Sequence, residues 1–260
     1  KNLLFGKSNW RKMAKITFYG GVGTVTGSKY LLESNGKKVL VDCGLFQGLK
    51  ELRERNWAEQ PFDPTEIDAV IITHAHIDHT GFLPRLVKLG FKGNVFTSNG
   101  TADLLKILLP DSGRLQAEEA DYRNRHNLTS HSPALPLYDE NDAKDTLKLL
   151  NPVKNNGVAV EICEGFKASF MVAGHIIGAS LVLVEMENAR ENGEPVKFLF
   201  SGDLGHYDQP IVKDPASPPA CDYLMTESTY GNRLHGEVTS DINLARIINE
   251  AYERNAPILI

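Results

Sequence analysis

The run Thr73-His74-Ala75-His76-Ile77-Asp78-His79-Thr80-Gly81 constrains this chain more than any other segment. It places four side chains able to ligate a metal within six residues. The stretch 67–73 before it is apolar, of strand length and rich in Val and Ile, and the pattern over 81–89 after it is helical. The run therefore reads as the loop between a buried strand and a helix. In such a loop His74 and His76 can point toward one ion, while Asp78 and His79 reach a second. Imidazole nitrogens and carboxylate oxygens suit Zn2+, with Mn2+ or Fe as alternatives. Eight histidines in 260 residues seldom put three within six beside an aspartate, so a polar loop of unrelated residues is the poorer reading.

A metal needs about four partners, so further ligands must come from elsewhere. His175, in Ala173-Gly174-His175-Ile176-Ile177-Gly178, follows an apolar strand pattern, and so does Asp203, in Ser201-Gly202-Asp203-Leu204-Gly205. Their glycines let backbone come close to an ion. A carboxylate has two oxygens, which makes Asp203 the bridging candidate. Asp42 ends another apolar stretch, 38–42, where a carboxylate can orient a metal-bound histidine without touching the metal.

Around these residues the sequence alternates in blocks. Strand patterns are expected at 14–19, 28–33 and 38–42, the last two joined by the hairpin signal Asn35-Gly36, and again at 67–73 and 95–97. Helices are expected at 81–89, at 101–109 with Pro110 as its stop, near 113–125 and at 140–150. Strands return at 158–162, 166–173, 180–186, 197–201 and 223–226, and an amphipathic helix follows at 240–254. This order predicts two sheets with helices outside, a layered α/β architecture. The apolar end, 257–260, reads as the start of a buried strand in a chain that is a fragment.

Composition narrows the function. A net charge of −5 argues against nucleic acid wrapped over the whole surface and leaves room for a local basic groove. No apolar run reaches the length of a membrane-spanning helix. Cys43, Cys163 and Cys221 are odd in number and widely spaced, which fits unpaired thiols in a reducing cytoplasm. Residues 1–12 lack the apolar core of a secretory signal and read as a leader or an expression remnant.

These residues together resemble the metallo-β-lactamase superfamily, whose H-x-H-x-D-H hallmark stands here as His74-Ala75-His76-Ile77-Asp78-His79. Glu227-Ser228-Thr229-Tyr230-Gly231 is similar to the acidic motif opening the β-CASP subfamily of RNA- and DNA-processing nucleases. Leu45-Phe46-Gln47-Gly48 and the His175 and Asp203 segments also resemble relatives of the mRNA 3′-end cleavage nuclease. The resemblance implies a four-layer αββα sandwich, incomplete at the C-terminus. A metallo-β-lactamase domain would span 13–235, and 236–260 would open a truncated β-CASP domain. It implies two zinc ions: one on His74, His76 and His175, the other on Asp78 and His79, with Asp203 bridging and Asp42 behind the ligands. Asp78 and Glu227 would be the catalytic candidates, Glu227 orienting a proton-donating histidine. It implies hydrolysis of RNA by a metal-activated water, with a homodimer of the full-length protein left open. In the family that histidine and a last ligand follow the insertion, so this chain is expected to be one ligand short and inactive alone.

Weaker signals remain. Gly21-Val22-Gly23-Thr24-Val25-Thr26-Gly27-Ser28-Lys29 is glycine-rich but lacks the Gly-Lys-Ser/Thr ending of a phosphate loop, and a tight loop at the rim is expected. Arg233 and His235 are candidates for phosphate contact, and His206 for a rim position. His126, His131, Arg114, Arg123 and Arg125 read as a charged solvent face. Two rival readings stand beside the nuclease. A small-molecule hydrolase of thioesters, lactones or lactams would need a last histidine soon after Asp203. A non-catalytic member would bind RNA or a partner chain and would have lost ligands.

Overall fold

The computed structural model describes residues 14–129, 131–233 and 240–259. Among these residues, eleven strands form two sheets. The first holds β1 (Lys15–Gly20), β2 (Lys29–Ser34), β3 (Lys37–Val41), β4 (Ala69–Ile71), β5 (Asn94–Ser98) and β6 (Leu150–Val153), side by side in that order. Its first three strands are antiparallel, and β3 to β6 run parallel. The second holds β7 (Ala159–Cys163), β8 (Phe166–Val172), β9 (Ser180–Met186), β10 (Val196–Phe200) and β11 (Tyr223–Met225) in the order β11-β10-β9-β8-β7. The helices are α1 (Lys50–Arg55), α2 (Ile77–Thr80), α3 (Leu83–Lys88), α4 (Asn99–Arg125), α5 (Glu140–Leu147) and α6 (Ser240–Glu253).

Strand residues alternate between two cores, as side chains on successive positions of a strand must. Val39 and Val41 of β3, Ala69 and Ile71 of β4, and Phe96 of β5 meet Phe166, Ala168, Phe170, Val182, Val184 and Phe200 of the second sheet. The intervening Leu40, Val70 and Val95 face the other way, onto Leu83 and Leu86 of α3, Leu105 and Leu109 of α4, and Ala143 of α5. A sheet covered on both faces needs unbroken apolar strands, which is why β3 and β4 read as continuous runs. The far face of the second sheet carries a smaller cluster around Leu181 and Leu199. Within the first unit, helices and two facing sheets thus stack in layers, the mixed α/β architecture that the sequence predicts.

The structure corrects three expectations. Pro110 does not stop a helix: α4 runs through it. A proline inside a helix costs about 3 kcal/mol. Here Leu105, Leu109 and Gly113 lie buried on one face either side of it, so packing of that stripe outweighs one lost hydrogen bond. The end of the helix expected at 140–150 is instead β6, an edge strand in which Pro152 is tolerated. Residues 257–259 form no strand.

The chain divides into two compact units, the first ending at Glu227 and the second beginning at Ser228. The boundary expected at 235/236 and the leader at 1–12 lie outside the described residues. No helix among the described residues is long and apolar enough to cross a membrane.

Ile71 is fully buried between the sheets. Ile71→Ala is expected to lower the unfolding free energy by about 2–5 kcal/mol, read from urea denaturation. A loss below ~1 kcal/mol would mean that the inter-sheet core does not carry the fold.

Candidate metal centre

Strands β8 and β10 are both antiparallel to β9, so their C-terminal ends emerge on the same side. The loops that follow carry His175 and Asp203. Residues 73–79 leave β4 of the facing sheet at that end, and the Ser180 amide donates to the Thr73 carbonyl at 2.9 Å, tying the two sheets together there.

Four donor atoms converge: His74, His76, His175 and Asp203 each offer one, all within 4.8 Å of one another. His76 Nδ1 lies 3.1 Å from His74 Nε2 and 3.2 Å from His175 Nε2. Asp203 Oδ2 lies 3.4 Å from His74 Nε2, 3.6 Å from His175 Nε2 and 4.0 Å from His76 Nδ1. Ligands about 2.05 Å from a tetrahedral ion stand roughly 3.3 Å apart, so this spacing suits a divalent cation. The other carboxylate oxygen, Oδ1, faces His79 Nε2 at 3.3 Å, and Asp78 Oδ2 is 3.8 Å from the same nitrogen. Asp203 therefore stands between two donor groups, with one oxygen toward each.

Behind the donors lies a buried polar network. Asp42 leaves β3 in the left-handed region, at φ 57°. It accepts the Thr73 amide at 2.8 Å and the Thr73 hydroxyl at 2.9 Å, and its Oδ2 lies 2.8 Å from His79 Nδ1. The Thr73 hydroxyl is also 3.1 Å from His74 Nδ1. With its proton on Asp42, that hydroxyl accepts from His74 Nδ1–H, which leaves the His74 Nε2 lone pair facing the cluster. The sequence reading passed over this role of Thr73; its only trace was a hydroxyl residue at the strand end, directly before the first histidine.

Burial lowers the pKa of His74 and His175, so their imidazoles stay neutral and keep lone pairs for a cation. Burial also disfavours the charged form of His79. The charge and hydrogen bonds of Asp42 and Asp203 outweigh it and push that imidazole up to about 10. Burial opposes ionisation of Asp203 too, yet hydrogen bonds from His74, His76 and His79 hold its carboxyl well below the usual range.

Glycine is required where these loops touch. A Cβ on Gly44 would lie 1.5 Å from the carbonyl oxygen of Asp78, and one on Gly205 would lie 1.7 Å from that of Gly174. Glu227 Oε1 accepts the Leu204 amide at 2.7 Å, so this carboxylate holds the loop that presents Asp203. His206 is exposed and outside the four-donor group. Arg233 is exposed in the second unit, and His235 lies outside the described residues. Arg114 and Arg123 pair with Asp111, Glu118 and Glu119 along α4, the charged solvent face that the sequence suggests.

Residues 22–95 match the family model described as the metallo-beta-lactamase superfamily. Over those residues the chain is similar to this superfamily. It is 35% identical over 221 residues to Ribonuclease TTHA0252 of Thermus thermophilus, covering 85% of this chain and 45% of that protein. It is 30% identical over 227 residues to Transcription termination factor FttA of Cenarchaeum symbiosum, covering 85% of this chain and 32% of the relative. With Cleavage and polyadenylation specificity factor subunit 3 of Dictyostelium discoideum the identity is 29% over 266 residues, covering 100% of this chain and 31% of the relative. The chain spans less than half the length of each.

The raised pKa of His79 has a testable sign. Its ordinary value is 6.5. A group raised on folding adds stability that is complete below that value and fades as the pH rises through about 10. In chelator-stripped protein, the stability advantage of wild type over Asp42→Asn is therefore expected to shrink across that window, read by thermal melts at stepped pH. An advantage that stays constant would show that Asp42 does not hold the imidazolium.

Proposed function

We propose that this chain carries the metal-binding part of a ribonuclease that hydrolyses RNA phosphodiester bonds. The observation that carries the reading is the grouping of five side chains around the Asp203 carboxylate, three toward one oxygen and two toward the other, in a chain whose relatives are named as RNA-processing proteins. His74, His76, His175 and one oxygen of Asp203 would hold one cation. Asp78, His79 and the other oxygen would hold a second. Zn2+ is the first choice for so many imidazoles, ahead of Mn2+ and Fe. When bound, such a pair supplies Lewis acidity toward phosphoryl oxygens and a water acidic enough to attack near neutral pH.

The chain's own groups prepare that centre. Asp42 accepts from His79 Nδ1 and so turns Nε2 to the cation, while Thr73 does the same for His74. Glu227 positions the Asp203 loop through the Leu204 amide. Its further proposed part is to orient a histidine that donates a proton. The start of the β-CASP domain remains proposed at residue 236, inside the unit that begins at Ser228. Arg233 and His235 remain proposed phosphate contacts. The three unpaired cysteines suit a cytoplasmic protein.

The test uses the full-length protein, stripped with chelator and resupplied with zinc or manganese, on end-labelled RNA. Two metal equivalents per chain and metal-dependent cleavage are expected. Asp203→Asn, which damages both halves, should lower the rate by about 100-fold or more. RNA left intact while a thioester or lactone is cleaved would refute the substrate assignment, and a chain that takes up no divalent metal would refute the site.

A further inference from the structure

Lys29 is a buried lysine that the mechanism above does not use. It opens β2, is 2% exposed, and forms no ion pair among those of the described residues. Its Nζ donates to the Gly44 carbonyl and sits 4.5 Å from the ring centre of Phe82 and 4.8 Å from that of Phe46. A phosphate-loop role is therefore excluded, because the ammonium points into the fold. Burial, partly offset by Cys43, brings its pKa down to about 8. A lysine so placed costs stability, and an apolar side chain would fill the space more cheaply.

What surrounds it is the back of the metal loop. The Ser28 amide donates to the Asp78 carbonyl at 2.9 Å, and the Gly44 amide donates to Ser28 at 3.0 Å. Cys43 donates to His79 at 2.7 Å, Leu45 to Ile77 at 3.0 Å, and Phe82 to Cys43 at 2.9 Å. Gly44 itself lies so close to Asp78 that no Cβ fits between them. Three chain segments, 28–29, 43–46 and 77–82, thus meet around one ammonium, and the segment it grips leans directly on the peptide of Asp78.

We propose that Lys29 is a positioning residue for the Asp78–His79 half of the metal centre, clamping the Gly44 carbonyl and the two phenyl rings so that the Asp78 backbone is held at ligating distance from Asp203. The inference rests on the two-cation reading above. It predicts a division of effects that a purely structural lysine does not produce. His74 and His76 precede Asp78 on the same loop, but the bonds from segments 28–29 and 43–46 reach only Ile77, Asp78, His79 and Phe82, so it is the Asp78 half that loses its backing.

The experiment is a titration of chelator-stripped full-length protein with CoCl2, followed by d–d absorbance and calorimetry, on wild type, Asp78→Asn and Lys29→Met. The uptake step missing in Asp78→Asn identifies its half of the centre. Lys29→Met is expected to weaken that same step about tenfold or more. The other step should stay within about twofold, and the melting temperature should be equal to or above wild type, since a buried charge has gone. Two unchanged steps, or two steps weakened alike with a lower melting temperature, would overturn the proposal. If Lys29→Met does not fold, Lys29→Gln, whose amide is too short to reach Gly44, decides by the same criteria. Failure of both to fold makes the residue structural and also overturns it. Fewer than two equivalents on wild type is a failure of the two-cation reading, and is told apart because it shows before any Lys29 variant is examined.

Discussion

Asp203 and the histidines of residues 74–79 come from different sheets, so the centre exists only while the sheets face each other in one register. The apolar layer of Val39, Val41, Ile71, Phe170, Val182 and Phe200 sets that register. At the open end, where the layer gives way to loops, the Ser180-to-Thr73 hydrogen bond and the contact of Gly202 with Thr73 keep the sheets from splaying. Shifts of a few tenths of an ångström there would matter, because the donor spacings are already those of a coordination shell.

The polar side of the site follows from the same constraint. Bringing four imidazoles and three carboxylates, Asp42, Asp78 and Asp203, into a partly buried space is costly unless each finds a partner. The structure answers with opposed tendencies. His74 and His175 are kept neutral by burial, while His79 is charged between Asp42 and Asp203. Under the two-cation reading proposed above, the half with the proton would exchange it for a cation. Lys29 belongs to this economy as well: its charge lies behind the loop, where it grips a carbonyl and stays clear of the ligands.

Much of the arrangement was legible in the sequence because ligand spacing and strand-end glycines are local signals. The loop 73–79, His175, Asp203 and Asp42 each lie at the end of an apolar run, and each strand-end position brings its side chain to the open end. What stayed hidden was anything decided by packing across the chain. Pro110 is a local stop signal, overruled by a buried stripe along α4. Leu150 closed the expected helix in sequence, yet it opens β6 at the free edge of β5. Lys29 sat in a glycine-rich stretch that invited a phosphate, and only its distant neighbours Gly44, Phe46 and Phe82 show that it points inward.

By itself the sequence determined which residues are chemically able to hold metal, and that strands deliver them, since residue type and alternation are properties of short stretches. The tertiary structure alone decided the distances at which each oxygen of Asp203 faces its donor group, the choice of His79 as the histidine paired with Asp42, and the relay through Thr73. The physical reason is that each of these is a distance between atoms whose residues stand far apart in the chain or turn on a single side-chain rotation, and no local pattern encodes either.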